Sequence, residues 1–260
     1  MAVKPKKSLG QNFLVDKNII SKIVNYNKIK NKNIIEIGPG TGNLTFQILK
    51  NDPKSLILIE KDNNLAGLLK KKIKHKNLKI INQDILKINL EDFVSNDTII
   101  FGNLPYNIST QILVKLIKFY KWPPKYNRLI LMFQKEVAER IIAKYNTSKY
   151  GRLSIISNWR LSLIDHFNIS KNCFYPKPKV DSTVLILKPK VNKSYKIKHI
   201  LNLEKITQII FSKKRKMINK NIKSIFGKDY KVFNFNLSDR PSNLKPDDYY
   251  RMTEFYEKKN

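Results

Sequence analysis

Over the first two thirds of the chain, short runs of β-branched and aromatic residues alternate with longer stretches in which apolar positions recur every three or four residues. The runs fall at 33–37, 55–60, 78–81, 98–101, 128–133, 161–167 and 182–187. Runs of this length and composition, bounded by turn formers, predict buried strands. Between them the stretches 16–26, 44–50, 63–73, 110–119 and 135–145 gather their apolar residues on one helical face. Strand followed by helix, repeated, predicts βαβ units and hence a mostly parallel sheet covered by helices on both faces. The expected class is α/β, with a Rossmann-like architecture.

Beyond Lys188-Pro189-Lys190 the strand pattern stops. Residues 197–211, 214–226 and 247–257 read as helices, the last opening on Asp247 and Asp248, where the positive end of a helix dipole favours acid. The pattern predicts a larger domain over 1–190 and a small helical domain over 191–260.

Composition changes this picture in one respect. The 260 residues carry 51 Lys plus Arg against 20 Asp plus Glu, a formal charge of +31, which points to a polyanionic partner such as nucleic acid. Only seven of the bases are Arg, and the abundance of Lys, Asn and Ile assigns part of the charge to overall compositional bias. Cys173 is the sole cysteine, which excludes an internal disulfide and a thiolate zinc cluster. The basic start leads into polar Gln11 and Asn12 rather than an apolar stretch, and no window is long and apolar enough to span a bilayer. A cytoplasmic protein with no metal and no membrane partner, acting as a monomer, is expected.

The sharpest motif follows the first strand of the alternating series, in Glu36-Ile37-Gly38-Pro39-Gly40-Thr41-Gly42. Glycines at the carboxyl end of a strand let backbone turn tightly and approach a ligand in the crevice where open α/β sheets bind them. Glu60 ends the next strand, twenty-two residues after Gly38, where a carboxylate can accept both hydroxyls of a ribose. Asp84 ends the third, where it can take the amino group of an adenine. The glycine spacing matches neither the dinucleotide fingerprint nor a phosphate loop. It resembles motif I of S-adenosylmethionine-dependent methyltransferases.

A second motif, Asn103-Leu104-Pro105-Tyr106, follows the fourth strand. The exocyclic amine of adenine is a poor nucleophile because its lone pair is delocalised into the ring. Acceptance of its two N–H groups by the Asn103 side-chain oxygen and the Leu104 carbonyl draws the nitrogen toward a tetrahedral shape. Pro105 fixes the turn and removes a competing N–H. Tyr106 offers a ring face for the base, a contact of about 1–3 kcal/mol, with the face rather than the hydroxyl expected to matter.

These motifs and four further segments resemble the ribosomal RNA adenine N6,N6-dimethyltransferases. The further segments are Lys7-Ser8-Leu9-Gly10-Gln11-Asn12-Phe13-Leu14, Gln134-Lys135-Glu136-Val137-Ala138-Glu139-Arg140, Tyr150-Gly151-Arg152-Leu153-Ser154, and Phe174-Tyr175-Pro176-Lys177-Pro178-Lys179-Val180-Asp181-Ser182. The resemblance implies a class I methyltransferase domain that uses S-adenosylmethionine to dimethylate two adjacent adenines near the 3′ end of small-subunit rRNA, on a pre-30S particle. It implies cofactor contacts from Asn12, Leu14, Gly38, Gly40, Glu60, Asp84 and Asn103. Phe174 is expected to be the aromatic that closes over the target adenine opposite Tyr106, with a core residue of the last hairpin as the alternative. Lys213, Lys214, Arg215 and Lys216 resemble the family's basic helix start and are expected to contact RNA phosphates. Three rivals stand beside this reading. One is the large-subunit methylase of the macrolide-resistance type, which usually has Ile where Leu104 stands; another is a methylase of protein glutamine or DNA adenine; the last is a non-catalytic assembly factor that kept the fold.

Overall fold

The computed structural model of the protein describes residues 5–6, 9–191 and 194–259. The chain divides into two compact units. One contains the chain up to Ala138 together with Leu163–Pro189, and the other contains Glu139–Ser162 and the chain from Lys190 onward.

The first unit opens on the short strand β1 (Phe13–Leu14) and helix α1 (Lys17–Asn25), capped by Asp16, whose side chain accepts the Ile19 N–H at 2.9 Å. There follow β2 (Asn33–Ile37), α2 (Asn43–Leu49), β3 (Ser55–Ile59), α3 (Asn63–Lys72), β4 (Leu78–Ile81), β5 (Thr98–Asn103), α4 (Ser109–Ile117) and β6 (Tyr126–Gln134). Helix α5 (Lys135–Ile141) spans the change of unit, α6 (Arg152–Arg160) lies in the second unit, and β7 (Leu161–Ile169) leads back. The first unit closes with β8 (Phe174–Tyr175) and β9 (Ser182–Pro189).

Among the described residues, seven strands form one sheet in the order β4-β3-β2-β5-β6-β9-β7. β4, β3, β2, β5 and β6 run parallel, whereas β9 joins β6 antiparallel. The order steps outward from β2 in both directions, so the carboxyl ends of β2 and β5 meet at the point where the sheet changes winding direction, the usual ligand crevice of such folds. β2 and β5 are buried on both faces, as parallel strands between helices must be, with Ile34, Ile99 and Phe101 in the core. Among the described residues, β1 pairs with β8 alone, with Leu14 opposite Phe174.

The second unit adds α7 (Ile200–Phe211), α8 (Asn219–Phe226) and α9 (Pro246–Lys259). Its core is aromatic. Trp159 of α6 packs on Tyr250 of α9 at 4.7 Å between ring centroids, Phe211 stacks on Tyr249 at 5.7 Å, and the Tyr250 hydroxyl donates to the Ile155 carbonyl at 3.1 Å. The structure differs from the sequence reading in three places. The single boundary at 190 coincides with the change at Pro189, but 139–162 also belong to the second unit, because α6 is built into its aromatic core. The helix expected over 214–226 begins only at Asn219, since the Ile218 N–H donates to the Asp239 carbonyl and the residues before it form a turn. The helix expected over 135–145 likewise stops at Ile141. Among the described residues, no helix is long and apolar enough to cross a membrane.

Candidate active site

At the carboxyl ends of β2, β3 and β5 lies a cavity of about 230 Å³. Its lining includes Asn12, Leu14, Gly38, Gly40, Glu60, Asp84, Asn103, Leu104, Pro105 and Tyr106, so the two sequence motifs and the N-terminal segment converge on one space.

The glycine loop shapes the floor. Gly40 holds φ +59°, and a Cβ there would sit 2.8 Å from the Phe13 ring, so glycine is required both by conformation and by the close approach of β1. The Gly40 N–H donates to Glu60 Oε2 at 3.1 Å, and the Asp62 N–H donates to Glu60 Oε1 at 2.8 Å. A carboxylate offers about four acceptor sites, and with backbone donors from Gly40, Asp62 and Lys61 Glu60 keeps room for a further donor. Burial pushes the Glu60 carboxyl above its ordinary value, against the pull of these backbone donors. Asp84 accepts the Leu86 N–H at 2.9 Å and pairs with Lys61 at 2.9 Å, which holds its carboxyl below the ordinary range and leaves it ionised at neutral pH.

At the end of β5 the Asn103 side-chain N–H donates to the Asn12 carbonyl at 2.9 Å. That bond fixes the carboxamide and leaves its oxygen as an uncommitted acceptor beside the turn through Leu104 and Pro105. The Leu104 side chain is buried. Tyr106 is half-buried, and its hydroxyl lies 2.7 Å from Ser182 Oγ, so the hydroxyl expected to be idle is engaged.

Two residues important to this geometry have no role in the sequence reading. Asp62 caps α3 by accepting the Asn64 N–H at 2.9 Å, and also takes Gln11 Nε2 at 3.2 Å and Lys6 Nζ at 2.9 Å. Burial pushes its carboxyl up and these donors more than reverse that, leaving it below the ordinary value. It thereby ties the segment before β1 to Glu60; its place one turn-start before a helical pattern was the only signal available. Glu36 lies on the cavity wall, 2% exposed, accepting Thr45 Oγ1 at 2.6 Å. Burial pushes its carboxyl up to about 8, with Thr45 pulling the other way and Glu60 adding to the rise.

Phe174 does not line the cavity. It is 4% exposed in β8, in the apolar core with Leu14 and Ile169, and its strand pairs with β1. Lys213, Lys214, Arg215 and Lys216 belong to the second unit, exposed on the turn after α7 rather than on a helix start, with Lys214 Nζ on the Ser148 carbonyl at 2.7 Å. Lys7 and Ser8 of the first matching segment lie outside the described residues.

The residues present fit S-adenosylmethionine. The site combines a glycine loop open to close approach, a buried carboxylate with acceptor capacity to spare, a second carboxylate held ionised, and an oriented carboxamide.

Comparison with known proteins agrees. The family model for ribosomal RNA adenine dimethylase matches residues 2–258. The small-subunit rRNA methyltransferase A of Pelagibacter ubique (strain HTCC1062) is 49% identical over 260 residues, covering 99% of this chain and 98% of that protein. The protein of the same name from Mycoplasma mobile (strain ATCC 43663 / 163K / NCTC 11711) is 41% identical over 224 residues, covering 85% and 84%. Among solved structures, a dimethyladenosine transferase from Plasmodium falciparum superposes with TM-score 0.76 at 29% identity, covering 95% of this chain and 98% of that one. The 23S rRNA methyltransferase ErmE shares the fold, with TM-score 0.68 at 20% identity and coverage of 94% and 99%. The chain belongs to the ribosomal RNA adenine dimethylase family.

Proposed function

We propose that this chain binds S-adenosylmethionine in the cavity and transfers methyl groups to N6 of two adjacent adenines in the hairpin near the 3′ end of small-subunit rRNA, on an assembling small-subunit particle in the cytoplasm. The observation that carries the reading is the Asn103 carboxamide, pinned by the Asn12 carbonyl with its oxygen left to accept. The names of the most similar relatives support the choice of subunit.

Glu60 would hold the ribose hydroxyls, Asp84 the adenine amino group of the cofactor, and Gly38 and Gly40 would give backbone access. Asn12 and Leu14 flank the same space. When bound, the cofactor supplies a methyl group made electrophilic by a positively charged sulfur. Asn103 Oδ1 and the Leu104 carbonyl accept the two N–H groups of the target amine, which localises its lone pair and aims it along one line. Pro105 keeps a competing donor out of the turn, and Tyr106 receives the base on its ring face. No general base is needed, because the newly methylated nitrogen is acidic enough to lose its proton to water.

The test compares the parent with Asn103→Ala in single-turnover methyl transfer to small-subunit particles. Loss of one polarising acceptor should slow transfer about 100-fold or more, while cofactor affinity changes far less. A variant that transfers at the parent's rate would place amine activation elsewhere.

A further inference from the structure

Tyr106 is held at both ends. Its carbonyl accepts Ser109 Oγ at 3.2 Å, where the loop enters α4. At the other end its hydroxyl meets Oγ of Ser182, the first residue of β9, at 2.7 Å. Ser182 has no exposed surface and stands opposite Gln134 in the β6–β9 ladder. The residue before it is anchored too: Asp181 Oδ1 accepts the Lys171 N–H at 2.9 Å, and its carbonyl accepts the Lys135 N–H at 3.0 Å. The serine hydroxyl is therefore a fixed point on the antiparallel side of the sheet, and it reaches across to the loop that follows β5.

A half-buried tyrosine ring can still swing about its side-chain torsions. A hydrogen bond at the hydroxyl, which lies on the ring's long axis, holds the far end of that axis in place. We propose that Ser182 is a positioning residue for methyl transfer, holding in place through the Tyr106 hydroxyl the ring on which the target adenine stacks, a role that rests on Tyr106 being the stacking face described above. Ser182 does not line the cavity; its side-chain link to the site is the Tyr106 hydroxyl. A ring oriented beforehand does not have to be ordered when the RNA arrives, and the amine then meets Asn103 and Leu104 in line.

The experiment is a double-mutant cycle on the full chain: Ser182→Ala, Tyr106→Phe and the pair, assayed for kcat of labelled methyl transfer to small-subunit particles, with S-adenosylmethionine affinity measured by calorimetry. Each single change should slow kcat by about two- to tenfold, the range for one neutral hydrogen bond. The pair should be no slower than the slower single variant, and Ser182→Ala should bind the cofactor like the parent. Effects that multiply in the pair, or a Ser182→Ala variant as fast as the parent, would overturn the proposal. Should Ser182→Ala fail to fold, Tyr106→Phe still decides, because it leaves Ser182 in place and an undiminished kcat there is equally contradictory. A parent chain that leaves the particles unmethylated would instead overturn the proposed function, and the role of Ser182 with it.

Discussion

Two buried glutamates share the cavity wall and do different work. Glu60 receives two backbone N–H groups and keeps acceptor capacity for a ligand, whereas Glu36 faces Thr45 and the core. In the unfolded chain Glu36 ionises near 4.5, and in the fold burial pushes it up to about 8. The folded protein thus keeps a proton that the unfolded chain has released across this window. The stabilising contribution is whole below pH 4.5 and is lost as pH rises toward 8. Glu36→Gln preserves a neutral partner for Thr45 and removes the titration. Its thermal midpoint should match the parent's below pH 5 and exceed it by several degrees at pH 8, at about 2–4 °C per kcal/mol for a chain of this size. Midpoints that differ by the same amount at both pH values would show that Glu36 ionises normally.

At the scale of elements, the parallel strands and most helices were legible because each satisfies its own periodicity. β1 and β8 were not. Each is two residues long, and they pair across a sequence distance that no local pattern encodes. Helix α6 was missed because Ser154, Ile155, Ile156, Ser157 and Trp159 are all buried, which leaves no polar face to alternate with the apolar one. The cofactor-side residues were readable as motifs, since glycines and acids at strand ends serve one chemistry. Asp62 and Ser182 were not, because each acts through a partner distant in sequence. The lysine run after α7 resembles the family's basic helix start, but in the structure it is a turn, with the Ile218 N–H bonded to the Asp239 carbonyl. A turn presents Lys213, Lys214, Arg215 and Lys216 to solvent, and changing all four to Ser should flatten the slope of log affinity against log salt for RNA by up to about three units. The same change at Lys70, Lys71, Lys72 and Lys74, at the end of α3, should flatten it less. Equal slopes would reduce the turn to a share of the general lysine excess.

For the whole molecule, a formal charge of +31 supplies long-range attraction to RNA but selects no nucleotide. In the proposed reading selection falls to the cavity lined by Asn103, Leu104 and Tyr106, where an adenine taken out of its stack would be received. The same fold is shared by a 23S rRNA methyltransferase, so the architecture does not choose between ribosomal subunits. The measurement that decides is the position and identity of the methylated nucleotides after the parent chain acts on both ribosomal subunits with labelled S-adenosylmethionine. The account predicts N6,N6-dimethyladenosine at two adjacent positions in the 3′-terminal hairpin of small-subunit rRNA and no label in the large subunit. Label confined to large-subunit rRNA, or absent from both, would contradict it.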